Sequence, residues 1–177
     1  MRMNNIKPAD IILVDSGTNY GKAILITLNI FQDDDVKFIH VLMAVDKEKC
    51  IVAESKVKYH NIVEYLKSVK SYKIIRNNKL TDKQRLSIVK KAETLFGLRY
   101  GVLRIVLQFL DQIFRTNFFT VWLKDKKMHI CSTLVSWSYY VVARVGFNGV
   151  QWQSVEPDDI SDEQERNQHV WEVVSEK

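Results

Sequence analysis

Cys131 follows Lys126-Lys127-Met128-His129-Ile130 and opens a run with helical spacing. Leu134, Val135, Ser138, Val141, Val142 and Val145 form one stripe, which predicts a helix over 131–145 with Gly146 as its left-handed cap. A thiol at a helix N-terminus faces the positive end of the helix dipole and free backbone N–H groups, both of which favour the thiolate. The same N–H groups can hold the oxyanion formed by attack on a carbonyl. A free cysteine alone is more often a small buried apolar residue, so a catalytic reading of Cys131 depends on a base.

Four histidines could supply it. His60 lies beside Tyr59 in a basic stretch and is expected to be exposed. His129 precedes Cys131 by two residues, a weak signal for a metal pair. His169 lies in an acidic segment. His40 alone is embedded in an apolar strand, where its ring needs polar partners. Residues 36–45 read as that strand, with Phe38, His40, Leu42 and Ala44 on one face. Residues 49–54 read as its hairpin partner after an Asp46-Lys47-Glu48 turn. If Val45 stands opposite Lys49, Glu54 falls directly across from His40, within reach of a hydrogen bond. An even-length loop would put the two on opposite faces. The roles follow: Cys131 as nucleophile, His40 as proton acceptor and donor, Glu54 as the group that orients His40. Such a thiol attacks acyl carbons, so the target is an amide, ester or thioester.

Other elements must position these residues. Residues 10–15 read as a buried strand, 18–31 as a helix, 61–69 as a short helix and 72–75 as a further strand. Thr81-Asp82-Lys83-Gln84 reads as a capping box, followed by a helix that Gly97 stops. A second helix is expected over 102–114. The pattern indicates an α+β fold with a small antiparallel sheet. Neither repeats nor linkers divide the chain, so residues 1–177 read as one domain with an acidic C-terminal tail from about 156.

The 177 residues carry 26 Lys and Arg against 21 Asp and Glu, a net charge of +5 that is too small to name nucleic acid as a partner. Recognised nucleic-acid motifs and interleaved aromatics are lacking as well. Two cysteines exclude a disulfide-built scaffold and an all-thiolate zinc site. The first residues lack the apolar core of a signal peptide. The longest apolar stretch, 101–121, is interrupted by Arg104, Gln108, Asp111 and Arg115, so no transmembrane segment is expected. The expectation is a cytoplasmic protein with reduced thiols. Charge is segregated: residues 56–91 hold a net +9 and residues 156–177 a net −6. Mutual neutralisation or plain solvation is the simpler reading; a basic rim that attracts an anion is the other.

With these residues in view, the chain resembles the YiiX/YaeF-type permuted papain-like amidases of the NlpC-type cysteine peptidase superfamily, to which the lecithin:retinol acyltransferases are related. There the histidine strand comes first and the cysteine helix late. Pro8-Ala9-Asp10-Ile11-Ile12-Leu13 resembles the family's opening Gly-Asp strand, with Ala9 for glycine. Phe38-Ile39-His40-Val41 resembles its histidine strand, and Val52-Ala53-Glu54-Ser55 the segment of its third polar residue. Gly97-Leu98-Arg99-Tyr100 resembles a Gly-x-x-Tyr segment. Ile130-Cys131-Ser132-Thr133-Leu134-Val135 resembles the nucleophile motif, with Thr133 where glutamate is common. Val155-Glu156-Pro157-Asp158-Asp159-Ile160 resembles the closing Pro-x-Asp segment.

The resemblance implies a circularly permuted papain-like fold and a cysteine hydrolase without metal or cofactor. Its substrate would hold an amide bond, in a peptide, a cell-wall fragment or an N-acylated molecule. The alternatives are a lipid acyl hydrolase or acyltransferase, for which the apolar 102–114 helix would face lipid, and a catalytically silent binding module. Asp15, Ser16, Ser132 and Tyr100 are the candidates for substrate and oxyanion contacts. Trp122 and Trp152 are candidate pocket walls, or ordinary core.

Overall fold

The structure is a computed structural model that describes residues 5–15, 37–54, 56–97, 116 and 131–177. Among them, β1 (Ile11–Val14), β2 (His40–Ala44), β3 (Lys49–Ala53), β4 (Val57–Asn61), β5 (Tyr72–Asn77) and β6 (Trp171–Glu176) form one antiparallel sheet in the order β4-β3-β2-β1-β5-β6. The helices are α1 (Ile62–Lys67), α2 (Asp82–Glu93), α3 (Cys131–Ala143) and α4 (Pro157–Arg166). The fold is α+β. The helices expected over 18–31 and 102–114 lie outside the described residues, as do His129 and Trp122.

Strand β1 is apolar at every position and buried at every position, as a central strand must be. Alternation along the strands divides the core in two. Ile11, Leu13, Val41, Met43, Ile51 and Ala53 pack with Leu134, Val135 and Tyr139 of α3. Ile12, Val14, Leu42, Ala44, Cys50 and Val52 pack with Ile62 and Leu66 of α1 on the opposite face. Phe38, expected on the face of His40, joins the α3 side instead. It precedes the first residue of β2, so strand parity does not govern it.

Local signals set the helix boundaries. Asn61 caps α1 through Oδ1, which accepts from the Glu64 N–H at 3.1 Å. At α2 the Thr81 hydroxyl accepts from the Gln84 N–H at 3.3 Å, and Gln84 Oε1 accepts from the Thr81 N–H at 3.0 Å, a complete capping box. Gly97 lies beyond that helix at φ +76°. Past α3 the left-handed residue is Arg144 at φ 56°, not Gly146 as expected from sequence.

One buried ionic network ties the sheet together. Asp10 is fully buried and accepts from Arg76 Nε at 2.8 Å and Nη2 at 2.7 Å, a bidentate pair. Arg76 Nη1 also donates to Glu172 of β6 at 3.1 Å. The carbonyl of Ala9, the preceding residue, accepts from the Tyr139 hydroxyl of α3. Ala9 stands at φ 61°, a left-handed conformation that glycine adopts more readily.

The acidic C-terminal stretch folds as α4 and β6. Its carboxylates partly neutralise the basic segment: Glu165 lies 3.2 Å from Lys73 Nζ and Glu172 3.1 Å from Arg76 Nη1, while Glu165 also lies 3.5 Å from Lys37 Nζ, outside that segment. The two lysine contacts hold the Glu165 carboxyl below its ordinary range, through the hydrogen bond from Lys73 first. Among the described residues, no helix is long and apolar enough to cross a membrane.

Candidate active site

The hairpin closes in the register that opposes Val45 and Lys49. The Val45 N–H donates to the Lys49 carbonyl at 2.8 Å, and Ala44 pairs with Cys50, Met43 with Ile51. In this register Glu54, one residue past β3, falls beside His40 at the start of β2. Helix α3 packs against β2, which brings its first residue, Cys131, close enough to His40 at the start of β2 for the sulfur to act on the ring. Cys131 is buried at 4% exposure. His40 is half-buried, and its Nε2 is enclosed with no hydrogen-bond partner among the described residues.

Electrostatics at His40 are the sum of opposing effects. Burial is the largest and disfavours the charged ring. The Cys131 sulfur, by charge and hydrogen bond, and then the Glu54 carboxylate outweigh it, so the pKa of His40 is raised. The imidazolium is thus stabilised where a thiolate would be its partner.

Glu54 does not bond His40. Its Oε2 lies 3.1 Å from Lys58 Nζ and 3.6 Å from His60 Nε2, both on β4. It acts on His40 through charge, at the distance that the end of the hairpin imposes. His60, expected to be exposed, is half-buried because β4 folds beside β3, opposite Cys50.

Tyr65 of α1 completes the surroundings. Its ring centroid is 6.4 Å from that of His40 and 5.6 Å from that of His60. Burial, then the charges of Glu54 and Cys131, push its phenol far up, so it stands as a neutral O–H donor. Sequence reading missed Tyr65, because it lies on a short helix whose only legible signals were a cap and a few apolar residues.

Cys50, the other thiol, faces the α1 side and hydrogen-bonds the His60 carbonyl at 3.6 Å. Burial pushes its pKa up to about 12. The two cysteines are therefore chemically unlike. Asp15 emerges at the His40 end of the sheet, since Val14 pairs with His40, and its N–H donates to the Ser71 carbonyl at 3.1 Å. Ser132 is fully buried in α3, and its hydroxyl has no hydrogen-bond partner among the described residues. Ser16 and Tyr100 lie outside the described residues. His169 is exposed, and Trp152 is half-buried beside α3.

No family model matches the sequence, and neither does any curated protein. Among solved structures, the chain is similar to a crystal structure described as metalloprotein YiiX from Escherichia coli O157:H7, DUF1105. The two share 14% sequence identity and superpose with a TM-score of 0.68, over 97% of this chain and 97% of that one. At this identity the likeness concerns the fold, and the fold of this chain is YiiX-like.

Proposed function

We propose that the protein is a cysteine hydrolase of permuted papain-like type, acting on an amide bond through Cys131, His40 and Glu54. The reading is carried by the packing of α3, which opens on Cys131, against β2, which opens on His40, and by the hairpin register that brings Glu54 beside them; the raised pKa of His40 agrees with it. The Cys131 sulfur attacks the carbonyl carbon. A tetrahedral oxyanion forms beside the first N–H groups of α3. His40 gives its proton to the leaving amine, and a thioester on Cys131 remains. Water then attacks the thioester, His40 takes the water's proton, and the thiolate leaves. The Glu54 charge supports the imidazolium throughout.

The structural neighbour is described as a metalloprotein. Among the described residues, no group of three or more His, Cys, Asp or Glu side chains is arranged to hold a metal ion. The proposed steps draw on Cys131, His40, Glu54, the first N–H groups of α3 and a water.

The test is capture of the acyl-enzyme. The chain is incubated with a mixed set of N-acyl amides and esters, quenched in acid and digested, and its peptides are weighed. An acyl adduct on the Cys131 peptide, lost in His40→Ala, supports the reading. Adducts from fatty acyl esters alone select the lipid acyl alternative. Absence of any adduct, with a wild-type fold, favours the silent binding module.

A further inference from the structure

A cleft opens on the side of α3 turned away from Cys131. It measures about 470 Å³ and is lined by Ser136, Tyr140, Arg144, Gln151, Trp152 and Gln153 among others. Its size is within the range of small-molecule sites. At 3.6 residues per turn, Ser136 and Tyr140 stand about 140° and 180° around the helix axis from Cys131. The cleft is thus not a continuation of the thiol site.

Its far wall, residues 145–155, is fixed before any ligand arrives. Phe147 is fully buried against Tyr139 and Trp171, with ring centroids 5.7 and 5.5 Å away. The Asn148 N–H donates to Glu163 at 3.0 Å, and its side-chain amide donates to Asp159 at 3.0 Å. Ser136 Oγ donates to the Trp152 carbonyl at 2.8 Å, pinning the wall to α3. Two residues without glycine's freedom, Arg144 at φ 56° and Asn148 at φ 51°, hold left-handed conformations in this wall and its entrance.

Charge and shape define the ligand. The Arg144 guanidinium lies over the Tyr140 ring at 5.2 Å and has no carboxylate partner among the described residues. The nearby acids Asp159 and Glu163 are engaged by Asn148. Tyr140 and Trp152 bring aromatic rings to the lining, and Gln151 brings an amide. We infer that this cleft binds a small organic anion with a flat apolar body, its carboxylate on Arg144 and its ring against the aromatic lining that Trp152 and Tyr140 supply.

The test is calorimetric titration of the intact chain with 2-naphthoate, and with neutral 2-naphthamide. Saturable naphthoate binding is expected, weakened about tenfold or more in Arg144→Gln, as for loss of a charge-assisted bond. Naphthamide should bind wild type and Arg144→Gln equally weakly. Trp152→Leu should weaken both probes. Binding should survive Cys131→Ser, which separates this site from the proposed hydrolase centre. No saturable naphthoate binding into the millimolar range, equal binding to Arg144→Gln, or loss of binding in Cys131→Ser would each overturn the inference.

Discussion

The Glu54 carboxylate stands 3.6 Å from His60 Nε2 and 3.1 Å from Lys58, on the strand beyond it, while its influence on His40 is purely one of charge. A third member of a catalytic group that works without a hydrogen bond is a weaker orienter than one that bonds. Its removal therefore costs less than removal of the base. Glu54→Gln is expected to lower the pKa of His40 and slow thiol alkylation at Cys131, but less than His40→Ala does. Its ion pair with Lys58 and its contact with His60 are partly solvated, so unfolding by denaturant should shift by no more than about 1 kcal/mol. Loss of alkylation equal to that in His40→Ala would mean that Glu54 bonds the ring directly.

The raised pKa of His40 depends first on overcoming burial. Without the sulfur at 131, burial is opposed by Glu54 alone. In Cys131→Ser, the His40 ring should therefore titrate at lower pH than in wild type, read from its ring-proton NMR shifts. An unchanged or higher value would show that the sulfur does not stabilise the imidazolium.

Asp10 and Arg76 are both buried, at 0% and 5% exposure, and meet in two parallel hydrogen bonds. Removing one partner leaves the other charged and enclosed. Asp10→Ala should cost about 3–5 kcal/mol in denaturant unfolding. A paired Asp10→Asn, Arg76→Met variant should recover part of that loss. A cost below about 1 kcal/mol in Asp10→Ala would contradict the burial of the pair.

Much of the frame that positions the site was legible because it rests on short-range rules. The turn after Val45 set the β2–β3 register, the Thr81 box started α2, and the apolar stripe from Cys131 marked α3. Strands β4 and β6 were not legible. Lys58, His60 and Asn61, and then Glu172 and Glu176, give polar edge strands that bury little and show no clean alternation. They form because β3 and β5 offer unpaired edges. For the same reason the neighbours of Glu54 were missed: Lys58 and His60 come to it across a strand pairing that no local pattern announces. Helix α4 was hidden by its acids, whose partners Lys37 and Lys73 lie far away in sequence.

The central claim is that Cys131 is an activated thiol because His40 stands against it. Alkylation by iodoacetamide, followed for each cysteine by mass spectrometry across pH, tests it most directly. Cys131 should react at neutral pH, below the ordinary thiol range of about 8.5. Cys50, pushed up to about 12, should stay unmodified in the folded chain. His40→Ala should return the Cys131 profile to an ordinary thiol's or slower. Equal, slow labelling of both cysteines, unaffected by His40→Ala, would contradict the account.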